Sequence, residues 1–153
     1  NMGLGGYDVG VTTEEMAAAY AAIANDGVYT KPRTWLRVED SEGNVVMENE
    51  TSAHSAMKET TSYLLRDILE SVITSGTGTE AYFSGMTIAG KTGSAEGSDN
   101  GMDVTHAWFV GYIDSDQYPY AISVLVENGG SGGSVAAPVA RQVFEYLRDN
   151  LPS

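Results

Sequence analysis

Hydrophobic residues recur at helical spacing in three stretches of the chain. The first opens with residues 12–15, Thr-Thr-Glu-Glu, which have the spacing of a capping box, and it stops before Gly27, so we expect a helix over about 12–25. The second predicts an amphipathic helix over 59–75 from the spacing of Leu64, Leu65, Ile68, Leu69 and Val72. The third starts near Pro138 and predicts a closing helix whose apolar face holds Val139, Val143 and Leu147.

Segments between these helices are rich in β-branched and aromatic residues. Residues 28–47 predict a hairpin around the turn cluster 40–44, and the polar segment 48–55 is expected to be exposed. Two β-type runs, 107–113 and 120–126, flank a short connection and indicate a second hairpin.

A further strand is expected from Met86-Thr87-Ile88-Ala89, followed after Gly93 by a polar loop over 95–103. The predicted order is therefore helix, hairpin, helix, three-strand meander, helix. This order indicates an α+β fold, in which an antiparallel sheet meander packs with helices and a small β-hairpin stands beside it.

Charge and composition narrow the functions that this fold could serve. Eight basic against twenty-one acidic residues give a net charge of −13, which argues against nucleic acid as a partner and requires a local cationic site for any bound anion. The chain has no cysteine and no apolar run of the roughly 20 residues that cross a bilayer. The opening residues 1–6 contain three glycines and suggest a loop entered from a preceding segment.

The stretch Gly85-Met-Thr-Ile-Ala-Gly-Lys-Thr-Gly-Ser94 fits two incompatible motifs. Residues 85–92 match the phosphate-binding pattern G-x-x-x-x-G-K-[ST], whereas residues 91–93 match the K-T-G element of serine enzymes that act on penicillin and cell-wall peptides. A phosphate-binding loop needs a strand before its first glycine and a helix after its lysine. Here the motif interior itself is strand-like and a glycine-rich loop follows, so the nucleotide interpretation is disfavoured.

The K-T-G interpretation gains weight from the rest of the chain. In order and spacing, nearly the whole sequence resembles the C-terminal half of a penicillin-binding protein transpeptidase domain, of the serine D,D-transpeptidase and β-lactamase-like superfamily. The Glu-Asn-Gly-Gly and Ser-Val-Ala-Ala-Pro segments at its end look more like the class B enzymes than the class A ones. The segments that carry the resemblance are 11–27, 76–78, 89–96, 107–112, 126–130 and 133–138.

The resemblance implies roles for four residues. Lys91 and Thr92 would bind the carboxylate of a D-Ala-D-Ala stem peptide or of a β-lactam, and Gly93 would keep the rim of the site open. Ser94 would offer its backbone N–H as one oxyanion-hole donor. The implied reaction is peptidoglycan cross-linking through an acyl-serine intermediate, and it requires no cofactor.

The nucleophile of that reaction is expected to lie outside this chain. Ser55-Ala-Met-Lys58 matches S-x-x-K and Ser98-Asp-Asn100 matches S-x-N, but the first lies in a polar run and the second follows Lys91, where the family places it before. Both are interpreted as chance matches. His54 and His106 lack the spacing of a metal site, so we expect no metal.

Residues 1–153 are thus expected to be the C-terminal portion of one transpeptidase domain whose N-terminal half is absent, and to be inactive alone. We expect the parent protein on the outer face of a bacterial cytoplasmic membrane, with its anchor outside this chain. An exposed sheet edge could pair with the missing half or with a second copy. A non-catalytic wall-binding or assembly module of the same fold is the alternative from a different class.

Overall fold

The computed structural model describes residues 10–99 and 101–150, so the glycine-rich opening segment lies outside the described residues. It has mixed helix and strand content, as expected for an α+β chain. The helices are α1 (Thr13–Ala24), α2 (Glu59–Ser75) and α3 (Ala137–Asn150). The strands are β1 (Val28–Thr30), β2 (Arg37–Glu39), β3 (Val45–Glu48), β4 (Ala53–Ser55), β5 (Ile88–Asp99), β6 (Met102–Ile113) and β7 (Ala121–Val126).

The antiparallel meander predicted from the sequence is confirmed as the sheet β5-β6-β7. The prediction of a loop over 95–103 is wrong, because β5 continues to Asp99 and β6 starts at Met102. Their outer halves form a two-stranded ribbon, since β7 pairs only with residues 107–112 of β6. Paired backbone groups hold this polar ribbon together, so the strands need no alternation of apolar residues there.

The small β-hairpin is confirmed as β2 and β3. Its turn is organised by Asp40, whose carboxylate accepts hydrogen bonds from the backbone N–H groups of Glu42 and Asn44. The side-chain amide of Asn44 also donates to this carboxylate, and that bond is the largest cause that lowers the pKa of Asp40, followed by the two backbone bonds. The pairing of β1 with β4 was not predicted, although residues 53–55 are exposed as expected.

The helices begin and end close to the predicted residues. Thr12 and Glu15 form the expected capping box at the start of α1, and Gly27 takes a φ of +85° after the helix end. Helix α3 differs from the prediction in the face that it buries. Of the three residues predicted for its apolar face, Leu147 is partly buried against the core, but Val139 and Val143 are exposed. The buried positions are Ala137, Ala140 and Phe144.

Two hydrophobic clusters cover the two faces of the meander. The larger cluster packs α3 and the end of α2 against one face, and the smaller one packs α1 and the middle of α2 against the other. Phe109, Ile113 and Phe144 lie at the centre of the larger cluster, and Ile23, Leu69 and Tyr112 in the smaller. The sheet is therefore held from both sides, while β5 and β7 occupy its two edges.

Among the described residues, none of the helices is long and apolar enough to cross a bilayer.

Candidate active-site wall

The candidate residues Lys91, Thr92, Gly93 and Ser94 lie in the interior of β5. The hydrogen-bond ladder decides which of their backbone groups remain free. The Asp114 N–H donates to the Thr87 carbonyl, so Thr87 and Asp114 are a hydrogen-bonded pair. In an antiparallel ladder every second residue forms such a pair, so Lys91 and Gly93 also direct their backbone groups to β6. The backbone N–H and C=O groups of Thr92 and Ser94 therefore point away from β6, along the outer edge of the sheet.

The side chain of Lys91 lies along this outer edge. It is exposed, and its Nζ donates a hydrogen bond of 2.9 Å to the Thr92 carbonyl oxygen. This contact agrees with the outward orientation of Thr92. The ammonium group thus lies on the same edge as the outward amides of Thr92 and Ser94, which together make a cationic, donor-rich strip on a chain of net charge −13. Such a strip suits a carboxylate or another anion.

Thr92 is held from a second element. Its hydroxyl lies 2.9 Å from the hydroxyl of Thr77, in the turn after α2. Backbone bonds fix that turn, because the N–H groups of Gly76 and Gly78 both donate to the Val72 carbonyl. Residues 76–78 were expected only as one segment of the family resemblance, and no contact was predicted for Thr77. A threonine between two glycines at a helix end was the available signal.

Ser94 is held by a third segment, the loop before α3. Its hydroxyl accepts a hydrogen bond of 3.3 Å from the Gly132 N–H. Gly132 begins a single π-helical turn, Gly132–Ala136, that lies directly against the K-T-G segment. A Cβ at this position would overlap the carbonyl oxygens of Gly93 and Trp108 and would lie 2.8 Å from the Gly93 nitrogen. Only glycine allows this approach.

The strand geometry also explains Gly90 and removes the phosphate-loop interpretation. The ring of Phe109 lies over Gly90, where a Cβ would come within 2.9 Å of the ring. Gly90 is thus a packing glycine within a strand. Lys91 continues that strand, and β5 runs on to Asp99 without a helix after the motif. The N-terminal helix field that a phosphate needs is therefore missing at this motif.

A polar cluster lies at the start of the sheet, away from the K-T-G segment. Arg66 on α2 donates to the Ala24 carbonyl and to Asp26, and its other nitrogen lies 3.7 Å from Asp114. It thereby ties the end of α1 to the end of β6. Burial, together with the nearby Asp114 charge, raises the pKa of Tyr112 to about 12.

Glu70 belongs to the same cluster and lies one turn after Arg66 on α2. Burial is the main cause that raises its pKa, followed by a hydrogen bond and like-charge repulsion from Asp114 and by the charge of Asp67. Arg66 opposes the shift. Glu70 and Asp114 thus share a site in which two full negative charges are unfavourable.

The two chance matches lie outside the wall. Ser55 ends β4 and donates to the Met57 carbonyl, while Lys58 is the N-cap of α2. The two residues are not one turn apart on a helix, as a nucleophile and its lysine would be. Ser98 and Asp99 belong to β5 rather than to the expected turn, and Asn100 lies outside the described residues.

Both histidines are strand residues, as expected. His54 lies in β4 against Tyr29, with ring centroids 5.1 Å apart, and His106 lies in β6, where its Nδ1 accepts from the Asn128 N–H. Within residues 10–99 and 101–150, no group of three or more histidine, aspartate or glutamate side chains could hold a metal ion.

Comparison with known proteins identifies the family of the chain. The family model described as the penicillin binding protein transpeptidase domain matches residues 1–145. The chain belongs to this transpeptidase family of peptidoglycan synthesis. Penicillin-binding protein 1A of Streptococcus oralis is 36% identical over 154 residues, which cover 92% of this chain and 24% of that protein. Penicillin-binding protein 1A of Clostridium acetobutylicum is 38% identical over 148 residues, which cover 93% of this chain and 17% of that protein.

Solved structures show the same fold. The D,D-transpeptidase domain of a peptidoglycan glycosyltransferase from Eggerthella lenta has a TM-score of 0.77 and 31% identity, covering 91% of this chain and 32% of that one. The structure of penicillin-binding protein A from Mycobacterium tuberculosis as a ceftriaxone acyl-enzyme complex has a TM-score of 0.81 and 26% identity. The match covers 92% of this chain and 33% of that one. The chain spans about a quarter or less of the length of the two penicillin-binding proteins 1A named above. The class B-like ending stays a prediction.

Proposed function

We propose that this chain is the C-terminal part of a D,D-transpeptidase domain that cross-links peptidoglycan stem peptides and is acylated by penicillin. One observation carries the proposal: the outer edge of β5 presents the Lys91 ammonium beside the outward backbone groups of Thr92 and Ser94. Ser55 and Lys58 do not lie one turn apart on a helix, which supports placing the nucleophilic serine outside this chain. Acyl-enzyme complexes among the similar structures support the β-lactam part.

In this proposal the wall orients the substrate and stabilises charge. Lys91 and the Thr92 hydroxyl bind the terminal carboxylate of the D-Ala-D-Ala peptide by charge-assisted hydrogen bonds. A serine from outside this chain attacks the penultimate carbonyl carbon, and the Ser94 N–H donates to the oxygen on which negative charge develops. Such a donor contributes about 3 kcal/mol to transition-state stabilisation. Gly93 has no side chain, so the substrate can lie close to the strand.

The proposed location and partners follow from this reaction. Stem peptides are exposed on the outer face of the cytoplasmic membrane, so we place the parent protein there. Between β6 and β7, the Ile113 N–H donates to the Tyr120 carbonyl oxygen. Since hydrogen-bonded pairs occur at every second residue, Ser123 and Leu125 direct their backbone groups away from β6, along the outer edge of the sheet. This edge suits a strand from the rest of the domain. Self-association there stays a prediction, and sedimentation that shows only monomers of the isolated chain would contradict it.

The proposed role of Lys91 is tested by acylation of the full-length protein with a fluorescent penicillin. We expect Lys91→Ala to lower the second-order rate constant about 10- to 100-fold, as for losing a hydrogen bond to a charged group. Lys58→Ala is the matched control, because Lys58 is exposed at the N-cap of α2. Equal rates for the wild type and Lys91→Ala would contradict the role of Lys91, and no acylation of the wild type would favour a non-catalytic module.

A further inference from the structure

Thr77 touches the proposed carboxylate-binding residue although it lies outside the K-T-G motif. Its hydroxyl is 2.9 Å from that of Thr92, across 15 residues of sequence. Its backbone is closely packed, because a Cβ at Gly133 would lie 2.9 Å from the Thr77 carbonyl oxygen. The turn after α2 and the turn before α3 thus meet at Thr77. The fold therefore fixes the backbone from which the Thr77 hydroxyl reaches Thr92.

Hydrogen-bond chemistry decides which way this pair must be oriented during binding. Each hydroxyl has one proton to donate and can accept at its oxygen, whereas a carboxylate only accepts. If Thr92 donated to Thr77, it would have no proton left for a carboxylate. If Thr77 donates to Thr92, the Thr92 proton is free, and the chain of two hydrogen bonds strengthens its donation.

We propose that Thr77 is a positioning residue for carboxylate recognition: it donates to the Thr92 hydroxyl and so directs the Thr92 proton toward the carboxylate of the stem peptide or β-lactam. The inference rests on the proposed function of the K-T-G wall. It extends that wall by one residue, supplied by the turn after α2.

A purely structural link between α2 and β5 would use the same contact, so the test must separate the two roles. A structural link would change the acylation of every ligand alike, together with thermal stability. A positioning role acts only on ligands that carry the carboxylate. Benzylpenicillin and its methyl ester differ at that group and share the reacting β-lactam ring, which makes them a suitable pair.

The experiment measures second-order acylation rate constants of the full-length protein for both compounds. We expect Thr77→Val to lower the benzylpenicillin rate about 5- to 20-fold and to change the methyl ester rate less than about twofold, because only the carboxylate loses a well-directed donor. Thr77→Ser should restore the benzylpenicillin rate. The control is Thr79→Val, at an exposed threonine in the following turn, which should match the wild type.

A double-mutant cycle completes the test. In a Thr92→Val background, Thr77→Val should have no further effect, because its partner hydroxyl is already gone. Equal losses for benzylpenicillin and its ester, failure of Thr77→Ser to restore the rate, or an undiminished effect in the Thr92→Val background would each overturn the inference. An enzyme that reacts normally with every Thr77 variant would overturn it while leaving the proposed function intact. A wild type that no penicillin acylates would overturn both.

Discussion

At the scale of single residues, the sequence indicated the candidate residues 91–94 but not the residues that contact them from other elements. Lys91 to Ser94 form a recognisable motif because their chemistry depends on local order within one strand. Thr77 and Gly132 lie 15 and 38 residues from their hydroxyl partners Thr92 and Ser94. No local periodicity encodes such contacts, so they became visible only when the three segments were placed together.

The carboxyl group of Glu70 gives a prediction at this scale. Its raised pKa means that the folded chain binds more protons than the unfolded chain between the ordinary value of 4.5 and the raised value. Stability is therefore lost as the pH rises through that window, and ionised Glu70 destabilises the fold at neutral pH. Thermal unfolding at pH 7 should show a higher Tm for Glu70→Gln than for the wild type, by about a degree or two.

The same measurement at about pH 4 should show little difference, because Glu70 is then largely protonated in both states. Glu80→Gln is the matched control, since it removes one negative charge at an exposed position in the turn after α2. It separates the local effect from a general reduction in net charge. A Glu70→Gln variant that is less stable than the wild type at pH 7 would contradict this assignment.

At the scale of elements, the three helices and the meander could be predicted because their apolar patterns are long. The failures have physical causes. The ribbon at 95–103 was taken for a loop because its glycines and polar residues are typical of turns, whereas strand pairing there needs only backbone groups. The buried face of α3 differs from the prediction because the small residues Ala137 and Ala140 let the helix pack closely, with Phe144 beside them in the core.

The π-helical turn before α3 gives a prediction at this scale. Gly132→Ala should displace the turn from β5, because the added Cβ overlaps the Gly93 and Trp108 carbonyl oxygens. Overpacking against backbone costs about 1–3 kcal/mol or more, so we expect Tm to fall by about 5 °C or more in a circular dichroism melt. Ser134→Ala, at an exposed position of the same turn, should leave Tm within about a degree. Equal melting of Gly132→Ala and wild type would refute this packing.

At the scale of the whole molecule, the described residues pack apolar side chains against both faces of the sheet and leave β5 and β7 at its two edges. The β5 edge carries the proposed substrate wall, and the β7 edge suits a further strand. Family membership could be anticipated from the order and spacing of several short segments, which lie on α1, on the strands β5 and β6, and in the turns before and after them.

The central claim is that this chain supplies the substrate wall and another part of the protein supplies the nucleophile. It is tested most directly by treating the isolated chain and the full-length protein with a fluorescent penicillin and locating the label by peptide mass spectrometry. The account predicts no covalent label on the isolated chain and, in the full-length protein, a label on a serine outside residues 1–153. A label on Ser55, or on any other serine of this chain, would contradict it.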